Sequence, residues 1–326
     1  MEAIVLDYLD QLSDTFTEPR KRVFWGYLLL ALGIGTIWLR WKLGQGWRRV
    51  IATTLSPGIW WSASARADYL LVLINKLLMI LIAPALLTQT VLATWLFGFF
   101  FSQFGMPPSA GSLLPDWGVA AAFTLTLFLL DDFARYLVHR VMHEVPALWA
   151  FHKVHHSARS LTPLTVMRTH PVEGVLFTLR SALVQGVTIG SFLYLFGSQV
   201  DLVTVLGVNI AVFAFNVAGS NLRHSHVQLW YPKAVEHLLI SPAQHQIHHS
   251  TTPRHFDKNF GAVLAIWDWL GGSLHLSEPG ADIRFGIRER VEEGEHSLKR
   301  LYLTPFGESF GILKGSIAQL LPDRSL

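Results

Sequence analysis

Long apolar segments alternate with short polar ones along the chain, and their lengths predict helices that cross a membrane. A helix needs about 20 consecutive, mostly apolar residues to span a bilayer. Apolar segments close to or above that length occur at 23–39, 69–101, 117–138, 174–197 and 201–220. The pattern therefore predicts an all-α fold, built as an integral membrane helical bundle.

The segment 69–101 allows two interpretations. It is thirty-three residues long, contains Lys76 and is interrupted by Pro84. Because proline kinks or breaks a helix, the segment is either one long kinked helix or a hairpin of two short ones. The last two apolar segments are expected to form a helical hairpin across the turn 197–199.

Basic residues between the apolar segments predict the orientation of the bundle. Residues 40–68 contain five Lys or Arg, whereas the linker 101–116 contains none. Because cytoplasmic loops carry an excess of Lys and Arg, we expect 40–68 and the C-terminal region in the cytoplasm. Two histidine clusters, at 139–156 and 245–249, then lie together in a cytoplasmic helical cap. The basic residues 20–22 fit this orientation only if the segment 69–101 is a hairpin. A hairpin there, however, would put the linker 101–116 on the wrong side of the membrane.

The composition supports a membrane protein and excludes several kinds of site. Hydrophobic residues make up 51% of the 326 residues and charged residues 15%, whereas soluble domains carry about 25% charged residues. The net charge of +3 gives no reason to expect nucleic acid as a partner. The lack of cysteine excludes disulfides, thiolate-bound zinc, iron–sulfur clusters and a cysteine nucleophile.

The first histidine cluster occupies two helical segments. It consists of His139, His143, His152, His155 and His156. The first two are spaced i, i+4 and the last three i, i+3, i+4, so each set lies on one face of its helix. Pro146 separates the sets and should end the first helix. The two histidine faces can therefore turn towards each other.

The second cluster, His245, His248 and His249, repeats the i, i+3, i+4 spacing. The sequence SPAQ at 241–244 marks the start of its helix. Serine is placed as the N-cap, proline as the first helical residue and glutamine as the reciprocal partner of a capping box. This pattern predicts that the three histidines occupy the first full turn of a short helix.

Eight clustered imidazoles are better explained by metal binding than by ordinary burial. They would repel one another if protonated and lack partners if neutral. Eight nitrogens exceed the four ligands of a tetrahedral zinc, so the sequence predicts two metal ions. Neutral ligands leave the metal charge to be balanced by nearby acidic side chains. The acidic candidates are Asp131, Asp132, Glu144, Glu173, Glu236, Asp257 and Asp268.

Three motifs of this chain resemble the histidine boxes of the fatty acid hydroxylase superfamily. In chain order they are HRVMH, FHKVHHS and HQIHHS. The flanks LWAFHKVHHS, MRTHPVE and HFDKNFGAVLAIWDWLGG are similar to the same family. Its members include sterol desaturases, sterol methyl oxidases, fatty acid hydroxylases and alkylglycerol monooxygenase. The resemblance covers roughly 117–275.

The resemblance implies a non-haem di-iron oxygenase. It would use O2 and two external electrons to hydroxylate or desaturate a C–H bond of a fatty acyl, sterol-like or ether lipid. The implied iron ligands are His139, His143, His152, His155, His156, His224, His245, His248 and His249. His226 and His237 are the alternatives to His224. Glu144 and Asp257 are the candidate catalytic carboxylates.

The electron donor is expected to be a separate molecule. The chain has no cysteine and no GxGxxG for a flavin or nicotinamide, so a ferredoxin, a b-type cytochrome or a reductase is implied. Glu144, directly after the first box, resembles the alkylglycerol monooxygenase branch, in which a reduced pterin is the donor. Two other functions remain open, a histidine-rich metal-binding membrane protein and a zinc-dependent membrane hydrolase. The bound metal distinguishes the three functions. The oxygenase would hold two irons per chain, the metal-binding protein a variable amount of metal, and the hydrolase one zinc.

Three regions are expected along the chain. Residues 1–116 form N-terminal membrane spans and linkers, 117–275 the catalytic domain, and 276–326 a polar cytoplasmic extension. The acidic N-terminus does not resemble a cleaved signal, and the C-terminus lacks a retrieval motif. We therefore expect a multi-pass protein of a bacterial inner membrane. His170 and His255 are expected to be structural or to contact the metal ligands from outside. His275 and His296 are expected to have no role.

Overall fold

The computed structural model describes residues 2–105, 114–287 and 294–320, and this part of the chain is mainly helical. Its α-helices are, in order, α1 (Glu2–Thr17), α2 (Trp25–Ile37), α3 (Trp47–Thr54), α4 (Pro57–Trp60), α5 (Ala63–Ile82), α6 (Gln89–Phe104), α7 (Asp116–Glu144), α8 (Pro146–His156), α9 (Pro171–Phe196), α10 (Ile210–Val217), α11 (Lys233–Glu236), α12 (Pro242–His248), α13 (Ile266–Leu270) and α14 (Leu298–Leu320). The strands β1 (Thr204–Val205) and β2 (Val208–Asn209) pair antiparallel. Parts of the predicted linker 101–116 and of the predicted extension 276–326 lie outside the described residues.

Three helical stretches of the described chain are long and apolar enough to cross a membrane. They are Ala63–Phe104, which joins α5 and α6, Asp116–Glu144 and Pro171–Phe196. The predicted all-α fold is thereby confirmed. The apolar segment 23–39 forms α2 followed by a π-helical turn, Trp38–Lys42, and is not one of the three.

The segment 69–101 forms two helices that run in one direction, with the break at Pro84. The last part of α5 contacts the start of α9, and α6 continues along α9 to its end. Gly174 near the start of α9 faces Met79 of α5, and Tyr194 near its end donates a hydrogen bond to the carbonyl of Gly105, just after α6. A hairpin would reverse this order, so the segment is a single kinked stretch.

The expectation of a membrane-spanning helix at 201–220 is wrong. The strands β1 and β2 form a tight hairpin there, and only the eight residues of α10 are α-helical. The hairpin turn places Leu206 and Gly207 at φ values of 51° and 72°, which a helix does not contain. Thr124 of α7 binds this segment, because its hydroxyl accepts from the amide of Val203 and its carbonyl accepts from the Asn209 side chain. These contacts with α7 replace helical hydrogen bonds.

The helix α2 lies beside the histidine-bearing end of the bundle. Near its start, the Asn221 side chain donates to the carbonyl of Arg22. Just after its end, the indole of Trp38 donates to the carbonyl of Gln228. Both ends of α2 therefore contact the segment 221–228. The basic residues before α2 lie on the histidine side, which removes the conflict that the charge pattern left open.

The C-terminal helix α14 packs against α8, the helix that carries the second histidine box. The ring of Phe306 lies edge-on to that of Phe151, and Lys153 forms an ion pair with Glu308. The carbonyl of Tyr302 lies 3.1 Å from Nε2 of His170. This helix therefore covers the outer face of α8, a role that the polar composition after residue 276 did not predict.

Candidate metal centre

Local sequence explains how the histidine-bearing helices begin and end. The helix α7 ends at Glu144, and Pro146 is the first residue of α8, as predicted. The helix α12 begins at Pro242 with the predicted capping box. In it, the Ser241 hydroxyl accepts from the amide of Gln244, and the Gln244 side chain accepts from the amide of Ser241.

The structure brings all nine predicted ligands together in two adjacent groups. Group A consists of His139, His143, His152, His156 and His248. Group B consists of His155, His224, His245 and His249. Within each group, one ring nitrogen of every member lies within 4.8 Å of the others. His226 and His237 belong to neither group.

The two groups are interleaved along the chain. His155 and His156 are neighbours in sequence but belong to different groups, and the same is true of His248 and His249. Adjacent residues on a helix point about 100° apart, so one helical turn can serve two centres. The rings of His156 and His249, one from each group, are stacked with centroids 4.5 Å apart.

In group A, lone pairs face one another. The Nδ1 atom of His139 lies 2.8 Å from the carbonyl of Phe260, and that of His248 lies 2.7 Å from the carbonyl of Lys258. Because a carbonyl only accepts hydrogen bonds, both Nδ1 atoms carry the proton and both Nε2 atoms present a lone pair. Yet these two Nε2 atoms are 3.0 Å apart. A cation bound by both nitrogens would explain this approach.

Burial keeps the imidazoles neutral. It lowers the pKa of His152 to about 3, and burial together with neighbouring histidines lowers the pKa of His156 and His249 well below the usual value. Both ring nitrogens of His249 are buried without a hydrogen-bond partner. Neutral imidazoles with unpartnered nitrogens are the form that binds metal ions, so the residues of both groups fit a metal.

Groups that contact the second ring nitrogen of a ligand, here called outer partners, orient two histidines of the second box. The Nδ1 atom of His152 lies 3.1 Å from Oε1 of Glu173, and both side chains are buried. The Nδ1 atom of His155 lies 3.3 Å from the carbonyl of Arg168. Histidine ligands commonly hold their second nitrogen in this way, which sets the tautomer and the ring orientation. The motif MRTHPVE therefore supplies partners to two histidines of the second box, one through the carbonyl of Arg168 and one through the side chain of Glu173.

We predict that Glu173→Gln lowers metal affinity by about 10- to 100-fold, the usual effect of losing an outer partner. The amide keeps the shape of the side chain but replaces the carboxyl group that lies beside Nδ1 of His152. Iron retention against a graded series of chelator concentrations measures the effect. Asp116→Asn, at the far end of α7, should retain iron like the wild type, and equal retention by both variants would contradict the prediction.

The other acidic candidates have different surroundings. Glu144 is half exposed and pairs with Arg140. Asp257 is also exposed, and its Oδ1 atom lies 3.4 Å from Nδ1 of His143. Burial and the charge of Glu144 raise the pKa of Asp257. Both candidate catalytic carboxylates therefore lie on the exposed side of His143, whereas the buried Asp268 accepts hydrogen bonds from backbone amides after the third box.

Two further acidic residues support the loops around the centre. Asp132 accepts hydrogen bonds from the amides of Val263 and Leu264 and from the indole of Trp267. Glu236 accepts from the hydroxyl of Ser241 at the start of α12. Asp132 thus joins α7 to the segment after the third box, and Glu236 holds the start of the helix that carries it.

The histidines outside the two groups have separate contacts. His296 lies 3.0 Å from a guanidinium nitrogen of Arg168, a contact that the sequence did not indicate. His255 and His275 lie 3.5 and 3.6 Å from Oε1 of Glu278 and form a small third group with it. From the sequence, we expect His255 to be structural or to contact the ligands from outside, and His275 to have no role.

Comparison with known proteins identifies the segment that contains both groups. The family model described as fatty acid hydroxylase matches residues 124–273. An ornithine lipid hydroxylase of Rhizobium tropici is 28% identical over 181 residues, which cover 55% of this chain and 50% of that protein. The alkylglycerol monooxygenase of Danio rerio is 30% identical over 150 residues, 45% of this chain and 29% of that protein.

A third relative is the Delta(7)-sterol 5(6)-desaturase of Gibberella zeae, 28% identical over 180 residues, which cover 55% of this chain and 50% of that protein. The matched part of this chain thus spans no more than half the length of these three relatives. No solved structure matches the chain with significance. The family match includes all nine histidines of groups A and B, so the segment 124–273, which contains both groups, is the part of the chain that matches the fatty acid hydroxylase family.

Proposed function

We propose that this chain is a membrane-bound oxygenase that hydroxylates or desaturates a lipid C–H bond at a di-iron centre. The observation that carries the proposal is the pair of adjacent groups of buried, neutral imidazoles with facing nitrogens. The match to this family supports the lipid and the oxidation, since the relatives are described as a lipid hydroxylase, a monooxygenase and a sterol desaturase.

The proposed ligands are the five histidines of group A for one iron and the four of group B for the other. Iron bound there would supply the activation of O2, with two electrons delivered from outside the chain; zinc has no redox chemistry. The residues of the protein would orient the ligands and shield the centre. His139 and His248 donate from Nδ1 to backbone carbonyls and thereby direct Nε2 inward.

An apolar cavity whose wall includes residues on both sides of His224 suits a hydrocarbon chain. It has a volume of about 350 Å³, within the range of small-molecule sites. Its walls come from α2, the segment 53–60, the loop 161–164 and the segment 221–227, which also carries His224. Most of the wall is aliphatic, including Leu28 and Leu222. We infer that the acyl or alkyl part of the lipid lies in this cavity.

We predict that Leu28→Trp lowers kcat/KM for lipid oxidation by about ten-fold, because the larger ring occupies part of the cavity; one methylene in an apolar pocket is already worth about 10- to 200-fold. Steady-state rates with the oxidised lipid quantified by mass spectrometry measure the effect. Leu30→Trp, on the exposed side of α2, is the matched control. A rate loss shared by both variants, or by neither, would contradict the cavity's role.

The orientation and the electron donor are part of the proposal. The basic segment 40–49 follows α2 on the histidine side, so we expect the centre at the cytoplasmic face by the positive-inside rule. The donor would be a ferredoxin, a b-type cytochrome or a reductase. A reduced pterin is the alternative, which rests on the resemblance of Glu144, directly after the first box, to the alkylglycerol monooxygenase branch.

The test is oxidation of lipid by the purified protein. Protein prepared without oxygen in detergent, loaded with ferrous iron and given a chemical reductant, is mixed with a bacterial polar lipid extract and oxygen-18. A hydroxylase places one heavy oxygen atom in a lipid, and a desaturase removes two hydrogen atoms. Stoichiometric zinc with release of a fatty acid or head group would instead support the hydrolase, and an iron-loaded protein that leaves every lipid unchanged would contradict the proposal.

A further inference from the structure

A second cavity, with a volume of about 340 Å³, lies between α7, α10 and the segment before α2. Its charged lining differs from that of the apolar cavity. The charged side chains are Arg20, Arg22, Asp131, Asp132, Arg135 and Arg223. Charged residues inside a membrane bundle are costly and mark sites of function. The question is which of these charges are already balanced.

The two carboxylates are committed to other partners. Asp132 accepts three hydrogen bonds from the segment after the third box. Asp131 lies 2.8 Å from Nε of Arg135 and 2.9 Å from Nη1 of Arg180, so it is shared between two guanidinium groups. Arg20 pairs with Glu18, so the other four arginines, with Arg180 included, face only these two carboxylates.

Arg22 and Arg223 carry the unbalanced charge. Arg223 donates to the carbonyls of Ser220 and Ala262, and its guanidinium lies over the ring of Phe215. The Nη2 atom of Arg22 is buried and has no hydrogen-bond partner. Among the described residues, neither guanidinium has a carboxylate within ion-pair distance. Burial, with the charges of Arg223 and Arg135, lowers the pKa of Arg22 well below its usual value.

An anion in the cavity would remove this imbalance. Like charges in a low-dielectric interior repel strongly, and an unpaired buried donor costs about 1–3 kcal/mol. Guanidinium groups match the planar oxygens of phosphate and carboxylate. Arg135 lies one helical turn before His139 on α7, so an anion held here would be close to group A.

We propose that Arg22, Arg135 and Arg223 bind the anionic head group of the lipid substrate in this cavity. The inference deepens the proposed oxidation of a lipid, on which it rests. A lipid fits better than a free anion because Leu127, Phe128 and Val212 line the same cavity. The charged and apolar walls together suit a negative head group and the part of the lipid directly attached to it.

Binding of a short anionic lipid tests the proposal. The detergent-purified protein is titrated with dioctanoyl phosphatidic acid, with uncharged dioctanoylglycerol and with inorganic phosphate, and heat of binding is recorded. We expect phosphatidic acid to bind at least about ten-fold more tightly than either other probe, since each hydrogen bond to a charged group contributes about 1.5–3 kcal/mol. Equal affinity for the uncharged lipid, or phosphate binding as tight as that of phosphatidic acid, would overturn the lipid head group.

Three variants locate the binding. Arg22→Gln should weaken phosphatidic acid about ten-fold or more, and Arg22→Lys, which keeps the charge but not the fork, should weaken it less. Arg48→Gln, at an exposed position on α3, should bind like the wild type. An unchanged affinity in Arg22→Gln would overturn the assignment. If Arg22→Gln does not fold, Arg22→Lys provides the test. An unaltered affinity of Arg22→Lys for phosphatidic acid would contradict a forked contact between Arg22 and the anion.

Iron content is measured on every preparation so that the two proposals are separable. A protein that lacks iron but prefers phosphatidic acid would sink the oxygenase and leave the anion site standing. A protein that oxidises lipid without preference for charge would sink the anion site alone.

Discussion

Replacing His155 with alanine is expected to remove iron from the centre and to lower lipid oxidation by more than about 100-fold, beyond the 10- to 100-fold effect of losing an outer partner. His155 belongs to group B, and its ring is buried against those of His224 and His249. Among the described residues, no histidine outside groups A and B joins these two clusters, so the proposed metal would lose a ligand without a replacement. The measurement is iron per chain with Mössbauer spectroscopy on anaerobic protein.

The neighbouring His156 makes this experiment more specific. Since His156 belongs to group A, His156→Ala should affect the other iron. Two variants at consecutive positions are therefore expected to leave different residual iron spectra. His237→Ala is the control, because His237 binds only the carbonyl of Lys233 and the ring of Trp269. Two coupled irons retained in His155→Ala would refute the ligand assignment, and wild-type protein with one zinc would favour a hydrolase.

Arg168→Ala is expected to destabilise the protein by about 3–5 kcal/mol, the usual cost of leaving one partner of a buried ion pair alone. Arg168 and Asp68 are fully buried, with Nη1 and Oδ1 2.8 Å apart. The guanidinium also donates to the carbonyl of Val154 and the hydroxyl of Ser157, at the end of the helix that carries the second box. A melting temperature lower by about 10 °C in detergent would be the readout.

A double variant separates the charge effect from lost packing. Arg168→Ala with Asp68→Ala leaves no buried charge, so it should be less destabilised than the sum of the single variants. Arg168→Lys should restore little, because an ammonium cannot reproduce the forked contacts. Arg66→Ala, exposed on the same helix as Asp68, should melt like the wild type. A cost near zero for Arg168→Ala would show that this pair does not anchor the second box.

The histidine spacing predicted most of the candidate site, because ligand geometry within one helix is local. The i, i+3, i+4 pattern determines which side chains share a face, and the capping box at Ser241 sets where α12 begins. Of His224 and its alternatives His226 and His237, the structure puts His224 in group B. The division into groups was beyond the sequence, since it depends on how α7, α8 and α12 cross.

The length of the apolar segments predicted the membrane spans correctly where the segment is helical throughout. It failed at 201–220, where the segment is not. The segment 201–220 has the composition of a membrane helix, yet contacts with Thr124 and a positive-φ turn at Leu206 divide it. In 69–101, the position of Pro84 indicated a break but not its direction. Only the contacts with α9 show that both halves run the same way.

By itself, the sequence determined the helical fold class, the three boxes with their eight histidines and the resemblance to a family, because each depends on residue type over short stretches of the chain. The tertiary structure alone decided what depends on distant segments meeting. It interleaved the two histidine groups, placed Glu173 beside His152, packed α14 on α8 and gathered arginines from three parts of the chain around one cavity. These contacts join residues far apart along the chain, and local periodicity carries no information about such distances.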